Sequence, residues 1–338
     1  GYSKVLCLKL ISNNWTFTKL MSETDSLKRK TISGFIWKFG ERILSQLISF
    51  AVSIILARLL MPKEYGVIAI AMIFITISNV LASSGLGTSL VQKKDADNVD
   101  FSTMFYSGIV LSFILYITAP YIATIYKNSL ICPVLRVLGI IIPISSINSI
   151  QQAAVARKLD FKNFFYATSV GSVLSGIIGI LMAYCGYGVW ALVVQQLCNV
   201  IINTITLNLI IKWRPTLVFS YSRFKELFGF GVKFMFTNLI GTFFAQLKGL
   251  IIGAKYTESD LAYYNRGENF PSLISNNIAN SINAVLFPAL AKVQDDRDKL
   301  KKIVRRSMRT SSFIMCPLLF FLTATANNIV HILLTDKW

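Results

Sequence analysis

The sequence predicts an all-α polytopic membrane protein, and three observations carry that prediction. Of its 338 residues 54% are apolar and only 15% charged, with a mean hydropathy of +0.58, whereas a soluble domain carries roughly 25% charged residues. Apolar runs of about twenty residues, enough to cross a hydrocarbon core of roughly 30 Å, recur along the chain. The runs are continuous rather than alternating, which excludes an outer-membrane barrel, and a spanning segment that satisfies its own backbone polar groups is a helix. The third observation is where the charge lies. The net charge of +18 sits mainly in short links between apolar runs, which is a topology signal and not the clustered basic surface of a nucleic-acid binder.

About nine transmembrane helices are expected, near 36–60, 66–84, 102–126, 134–152, 165–185, 188–210, 228–252, 262–290 and 312–334. With a cytoplasmic N-terminus, the inside links hold Lys28, Arg29 and Lys30, then Lys93 and Lys94, then Arg157, Lys158 and Lys162, then Lys212, Arg214, Arg223 and Lys225. A dense basic run from Lys292 to Arg309 forms the last of them. Outside links hold only Arg58, Lys63, Lys127 and Lys255. This asymmetry is what the positive-inside rule requires of correctly counted spans.

Residues 1–20 are weakly patterned and lack Met, while Met21 opens a basic tail leading into the first helix, so 1–20 reads as a non-native or upstream segment. The odd span count and the stop at Trp338 are expected of a fragment. A loose internal repeat lays ARLLMPKEYG over GAKYTESDLA at an offset of about 195 residues. Each is a short polar link with acidic residues between two helices, and repeated halves are common in secondary transporters. The five cysteines have no ligand spacing, and Cys132, Cys185, Cys198 and Cys316 lie in or beside apolar runs, as packing residues do. No metal or cofactor is implied, and the lone His331 reads as structural.

Function is read from polar residues inside the spans. Span one carries Lys38, Glu41, Arg42, Ser45, Gln46, Ser49 and Ser53 at steps of three and four, which places them on one helix face. Span seven has Lys233, Asn238, Thr242 and Gln246, with Lys248 nearby; span eight has Asn265, Arg266, Asn269 and further Asn residues. In span six, Gln195, Gln196 and Asn199 read as interhelical glue, set against the small residues Gly171, Ser175 and Gly179 of span five. Charges within a span cost at least ~2.5 kcal/mol each and need a use. Lys38 and Glu41 are spaced to pair, and Lys38, Lys233 and Arg58 lie near enough to a helix end to snorkel, which leaves Arg42, Arg266 and Lys248 as the candidates for lining a cavity. Because cations outnumber Glu41 and Glu268 on these faces, such a cavity favours an anionic substrate.

No phosphate loop, GxSxG, HExxH or CxxC motif is present, so the residues point to transport and not to an enzyme. The stretches SLKRKTISGFIWKFGERILSQ, LARLLMPKEYGVIAIA, SGLGTSLVQKKD, AVARKLDFK, GYGVWALVVQQL, AYYNRGENFPS and FPALAKVQDD together resemble the Wzx-type polysaccharide flippases of the multidrug/oligosaccharidyl-lipid/polysaccharide exporter superfamily. That resemblance implies a bundle of twelve or more helices in two lobes around a cationic cavity, with residues 21–215 as the N-terminal six-helix lobe and 216–338 as the first half of the C-terminal one. It implies a bacterial inner-membrane flippase that moves an undecaprenyl-diphosphate-linked oligosaccharide to the outer leaflet by alternating access. The partners implied are the lipid-linked oligosaccharide, membrane lipids and polysaccharide polymerase machinery, with no nucleic acid. The cavity role carries over to Arg42 in GERILSQ and Arg266 in YNRG, then Lys248, with Glu41, Gln46 and Asn238 beside them. Two other readings are a cation-coupled multidrug exporter of the same fold, which calls for cavity carboxylates, and a membrane glycan polymerase or ligase, which calls for a large outside loop.

Overall fold

The computed structural model describes residues 37–83, 98–158, 161–211, 221–291, 293 and 296–338. The upstream segment 1–20 and the basic links at 28–30, 93–94 and 212–214 lie outside the described residues. In chain order the helices are α1 (Trp37–Leu59), α2 (Pro62–Ser83), α3 (Asn98–Ile125), α4 (Ile131–Leu138), α5 (Ile141–Lys158), α6 (Phe161–Tyr184), α7 (Val189–Ile211), α8 (Tyr221–Lys255), α9 (Glu258–Ala291), α10 (Arg297–Ala324) and α11 (Ala326–Leu333). Among the described residues eight helices are long and apolar enough to cross a membrane. The chain is a multi-pass membrane protein.

Three expected spans differ from their sequence outline. The fourth is two helices, α4 and α5, broken at Gly139 and Ile140. The eighth, α9, is a helix of 34 residues, but its asparagines keep it out of the apolar set. The ninth begins earlier than expected, because the basic run read as a link is helical from Arg297 onward. Asp296 caps that start by accepting from the Lys299 backbone N–H at 3.0 Å, which satisfies an otherwise orphaned donor.

The links expected on one side of the membrane gather at one end of the molecule. Arg58, near the end of α1, donates from Nε to the Leu333 carbonyl at 3.0 Å and from its second guanidinium arm to the Ile332 carbonyl. These carbonyls close α11, where a cation is favoured by the helix dipole. Arg58→Ala is expected to lower thermal stability by about 1 kcal/mol, read as an earlier unfolding midpoint in detergent. At the same end Asn128, after α3, donates to Glu258 Oε1 at 2.9 Å. Gly188, after α6, sits in the left-handed region at φ +55° with the Glu64 carboxylate against it.

Two of these links share a construction, at the offset the repeat suggests. Before α2, the Met61 N–H donates back to Glu64 at 2.8 Å, with Pro62 in the first helical position. Before α9, the Thr257 N–H and hydroxyl donate to Asp260 at 3.0 and 2.7 Å, and the Asp260 N–H returns a bond to Thr257 at 3.2 Å. The start of α9 is a reciprocal capping box and that of α2 keeps its acidic half; in both an acidic side chain reaches back over the first turn. The Thr257 bonds hold the Asp260 carboxyl below its ordinary value. The two capped starts pack on each other so closely that a Cβ on Gly66 would lie 1.9 Å from the Glu258 carbonyl oxygen.

The main apolar core lies toward this end. Leu56, Ile70, Ile131, Leu135, Leu138, Ile142 and Leu261 are all buried to within 2%. Helix α2 is at its centre, packed against α3, α4, α5, α7, α8 and α9. Helices α6 and α7 pair along the small-residue face, where Gly171 meets Asn203 and Gly179 meets Gln195. Polar contacts join α5 to α7 as well: Asn148 donates to the Thr204 hydroxyl at 3.4 Å and Gln151 to the Thr204 carbonyl at 3.3 Å. Buried polar pairs of this kind hold membrane helices in register.

Candidate functional site

The polar face of α1 lines three cavities that share residues. The first, of about 640 Å³, lies at the start of α1 and is lined by Lys38, Phe39, Glu41, Arg42, Ser45, Gln46 and Ser49. From Ser49 the lining continues into an inner cavity of about 390 Å³ between α1, α2, α7 and α9. Its polar wall is Ser49 and Ser53 of α1, Gln195, Gln196 and Asn199 of α7, and Asn265, Arg266 and Asn269 of α9. A third, of about 210 Å³, reaches from Gln46 past Ser53 and Arg266 to Leu273 and Leu334. A helix with its polar residues at steps of three and four presents them as one stripe, and here the stripe is a track about four turns long.

The two arginines on the track differ in their surroundings. Arg42 is exposed into the first cavity and has no ion-pair partner among the described residues. Its neighbour Glu41 is taken by Lys38 at 3.1 Å, and Lys38 also stands 4.1 Å over the Phe164 ring. Arg266 is half-buried at the far end of the inner cavity. It donates to Ser53 Oγ, and its guanidinium lies 4.7 Å from the Tyr65 ring centre and 5.0 Å from that of Trp338. Tyr65 and Trp338 are themselves edge to face at 5.2 Å. Aromatic faces stabilise a guanidinium by up to about 2 kcal/mol without cancelling its charge, so Arg266 keeps a cation available to an anion in the cavity.

A family model described as "Polysaccharide biosynthesis protein" matches residues 55–338. The chain belongs to this family. It is 23% identical over 326 residues to the succinoglycan biosynthesis transport protein ExoT of Rhizobium meliloti, covering 93% of this chain and 65% of that protein. To the lipopolysaccharide biosynthesis protein WzxC of Escherichia coli it is 22% identical over 323 residues, with the same coverage. To the teichuronic acid biosynthesis protein TuaB of Bacillus subtilis it is 21% identical over 322 residues, covering 93% of this chain and 66% of that one. The chain therefore spans about two thirds of the length of these relatives. A multidrug resistance MATE family transporter of the MOP superfamily, solved in an inward-facing conformation, superposes with a TM-score of 0.61 at 16% identity, covering 86% of this chain and 72% of that one. That likeness shows the fold.

Within this family member, the structure brings some of the expected residues together and leaves others apart. Glu41, Arg42 and Gln46 line the first cavity, and Gln46 and Arg266 meet in the third. Lys248 lines none of these three cavities: it pairs with Glu268 at 3.3 Å on the exposed side of α8 and α9. Asn238 is exposed on α8 and also lies away from them. The α7 amides do more than the packing expected of them. Asn199 donates to Ser175 Oγ at 3.2 Å, tying α7 to α6, and it lines the inner cavity together with Gln195 and Gln196. Tyr65 and Trp338 carry no polar periodicity that would have singled them out. Tyr65 follows a capped link, and Trp338 is held at the site by its Nε1, which donates to the Ala57 carbonyl at 2.9 Å.

Proposed function

We propose that this protein is a flippase, not an enzyme, that moves an undecaprenyl-diphosphate-linked oligosaccharide from the cytoplasmic to the outer leaflet of the bacterial inner membrane. The cargo would serve surface polysaccharide synthesis, as O-antigen, capsule or exopolysaccharide. The observation that carries the reading is the track on α1, with unneutralised arginines at both ends and amides and hydroxyls between them. An arginine in a site of low dielectric holds a phosphate oxygen strongly, and amide side chains suit the hydroxyls of a sugar chain. The names of the relatives, all polysaccharide biosynthesis proteins and one a transport protein, agree with it.

The track also orders the path. From Arg42 to Ser53, the partner of Arg266, α1 rises roughly 16 Å at about 1.5 Å per residue, too far for one diphosphate to touch both. The headgroup meets Arg42 first, in a mouth facing the cytoplasm, and Arg266 deeper. On this reading the N-terminus lies in the cytoplasm and the Arg58 end outside. The division into lobes at residues 21–215 and 216–338 fits a cavity that α1, α2 and α7 share with α9, and the polymerase machinery would receive the flipped product. A multidrug exporter of the same fold is the second reading, favoured by the structural likeness alone. Among the described residues Glu41 is the sole carboxylate lining these three cavities, and Lys38 pairs with it.

Deletion of the gene is expected to cause lipid-linked oligosaccharide to accumulate and surface glycan to disappear. The intact gene should restore both, and an Arg42→Ala copy should reach the membrane without restoring either. Unchanged glycan with altered sensitivity to cationic drugs would replace the flippase reading with the exporter.

A further inference from the structure

We propose that the first three turns of α10 form a binding surface for anionic phospholipid headgroups, a role independent of what the cavity carries. The helix begins inside the basic run and continues without interruption for 28 residues. At 3.6 residues per turn, winding the run into a helix sorts its side chains into two faces. Lys301, Lys302, Arg305, Arg306 and Arg309 fall on one half and are all exposed. Leu300, Ile303, Val304 and Ser307 fall on the other and are half-buried, on a helix whose neighbours are α9 and α11. The charge is not cancelled locally. Among the described residues two carboxylates stand at the helix start, Asp296 and Asp298, and Asp296 is engaged by Lys299 at 3.0 Å. None of the other cations of these turns has an ion-pair partner among the described residues.

What selects a lipid over a soluble acidic partner is where the cationic face leads. Steps of three and four from Lys302 pass through Arg306 and Arg309 to Phe313, Cys316 and Phe320. Phe313 is 81% and Phe320 76% exposed, and α10 is among the helices able to cross the membrane. A face whose far half lies in acyl chains places its near half at headgroup depth. Cations at that depth are attracted to anionic lipid within about one Debye length of the surface.

The test is a titration of full-length protein in detergent with fluorescently labelled phosphatidylglycerol and, separately, phosphatidylcholine. Phosphatidylglycerol is expected to bind about tenfold more tightly, and that preference should shrink as salt rises from about 0.05 to 0.5 M. A Lys302→Gln/Arg306→Gln/Arg309→Gln variant should bind the two lipids alike, while Arg306→Lys/Arg309→Lys should keep the preference. Equal binding by the intact protein overturns the proposal, as does a preference that survives the triple substitution. If the triple variant fails to fold, a preference in the intact protein that is indifferent to salt overturns it. Binding of polyglutamate with no preference between the lipids also overturns it, in favour of an acidic protein partner.

Discussion

Arg266→Ala is expected to cut lipid-linked oligosaccharide export by roughly ten- to a hundredfold, equivalent to the 1.5–3 kcal/mol typical of a hydrogen bond to a charged group, while leaving the protein in the membrane. Arg266 is tied to the helix bundle through Ser53 and two aromatic rings, and it is the one cation among the described residues lining the inner cavity, while the buried core residues lie outside its contacts. Arg266→Lys should recover only part of the loss, since an ammonium keeps the charge but not the planar fork or the stacking. Lys248→Ala is the contrast. Its ion pair with Glu268 is exposed, and such pairs are worth little, so export should stay near normal. Accumulated lipid-linked oligosaccharide, normalised to protein in the membrane, measures all three. Equal losses from Arg266→Ala and Lys248→Ala would count against the track as the path.

Gly66→Ala is expected to destabilise the bundle by about 3 kcal/mol or more, the cost of overpacking a contact that cannot relax. The added Cβ would meet the Glu258 carbonyl oxygen at 1.9 Å and the Glu258 carbonyl carbon at 2.4 Å. These are backbone atoms in the capped first turn of α9, fixed by the Thr257–Asp260 bonds, so no rotamer change relieves the clash. Gly241→Ala, on α8, is the matched control because its Cβ would meet nothing within 4 Å. It should be neutral or stabilising by up to about 1 kcal/mol, the helix-propensity gain of Ala over Gly. Yield of monodisperse protein and the thermal midpoint in detergent would separate the two, and similar midpoints would remove the close approach of α2 and α9 from the account.

The link before α2 and the link before α9 show why the fold was so legible. Each advertises its helix start in four residues, MPKE and TESD, because capping is local chemistry between a backbone N–H and a side chain three positions on. The basic run reads as a link and yet is helical from Arg297, for a related reason. Dense charge ordinarily marks the end of a span, and only the winding of α10 shows that Leu300, Ile303 and Val304 have a face to pack on. The site was legible to the extent that it follows one helix. Glu41, Arg42 and Gln46 share a cavity because a period of 3.6 residues places them together.

Sequence alone determined that the chain is a membrane-spanning helical bundle, roughly where its spans lie, and that a polar, net cationic stripe runs along α1. Those properties depend on hydropathy, charge and periodicity, which are local or short-range. The tertiary structure decided which stripes face each other. Arg266 joins Ser53, Tyr65 and Trp338, while Lys248, close to it in sequence and equally cationic, is turned away to Glu268. The difference lies in the rotation of α8 and α9 about their own axes. That rotation is set by contacts such as Gly66 on Glu258 and Gly253 on Ile70 and Tyr126, between residues far apart in the chain.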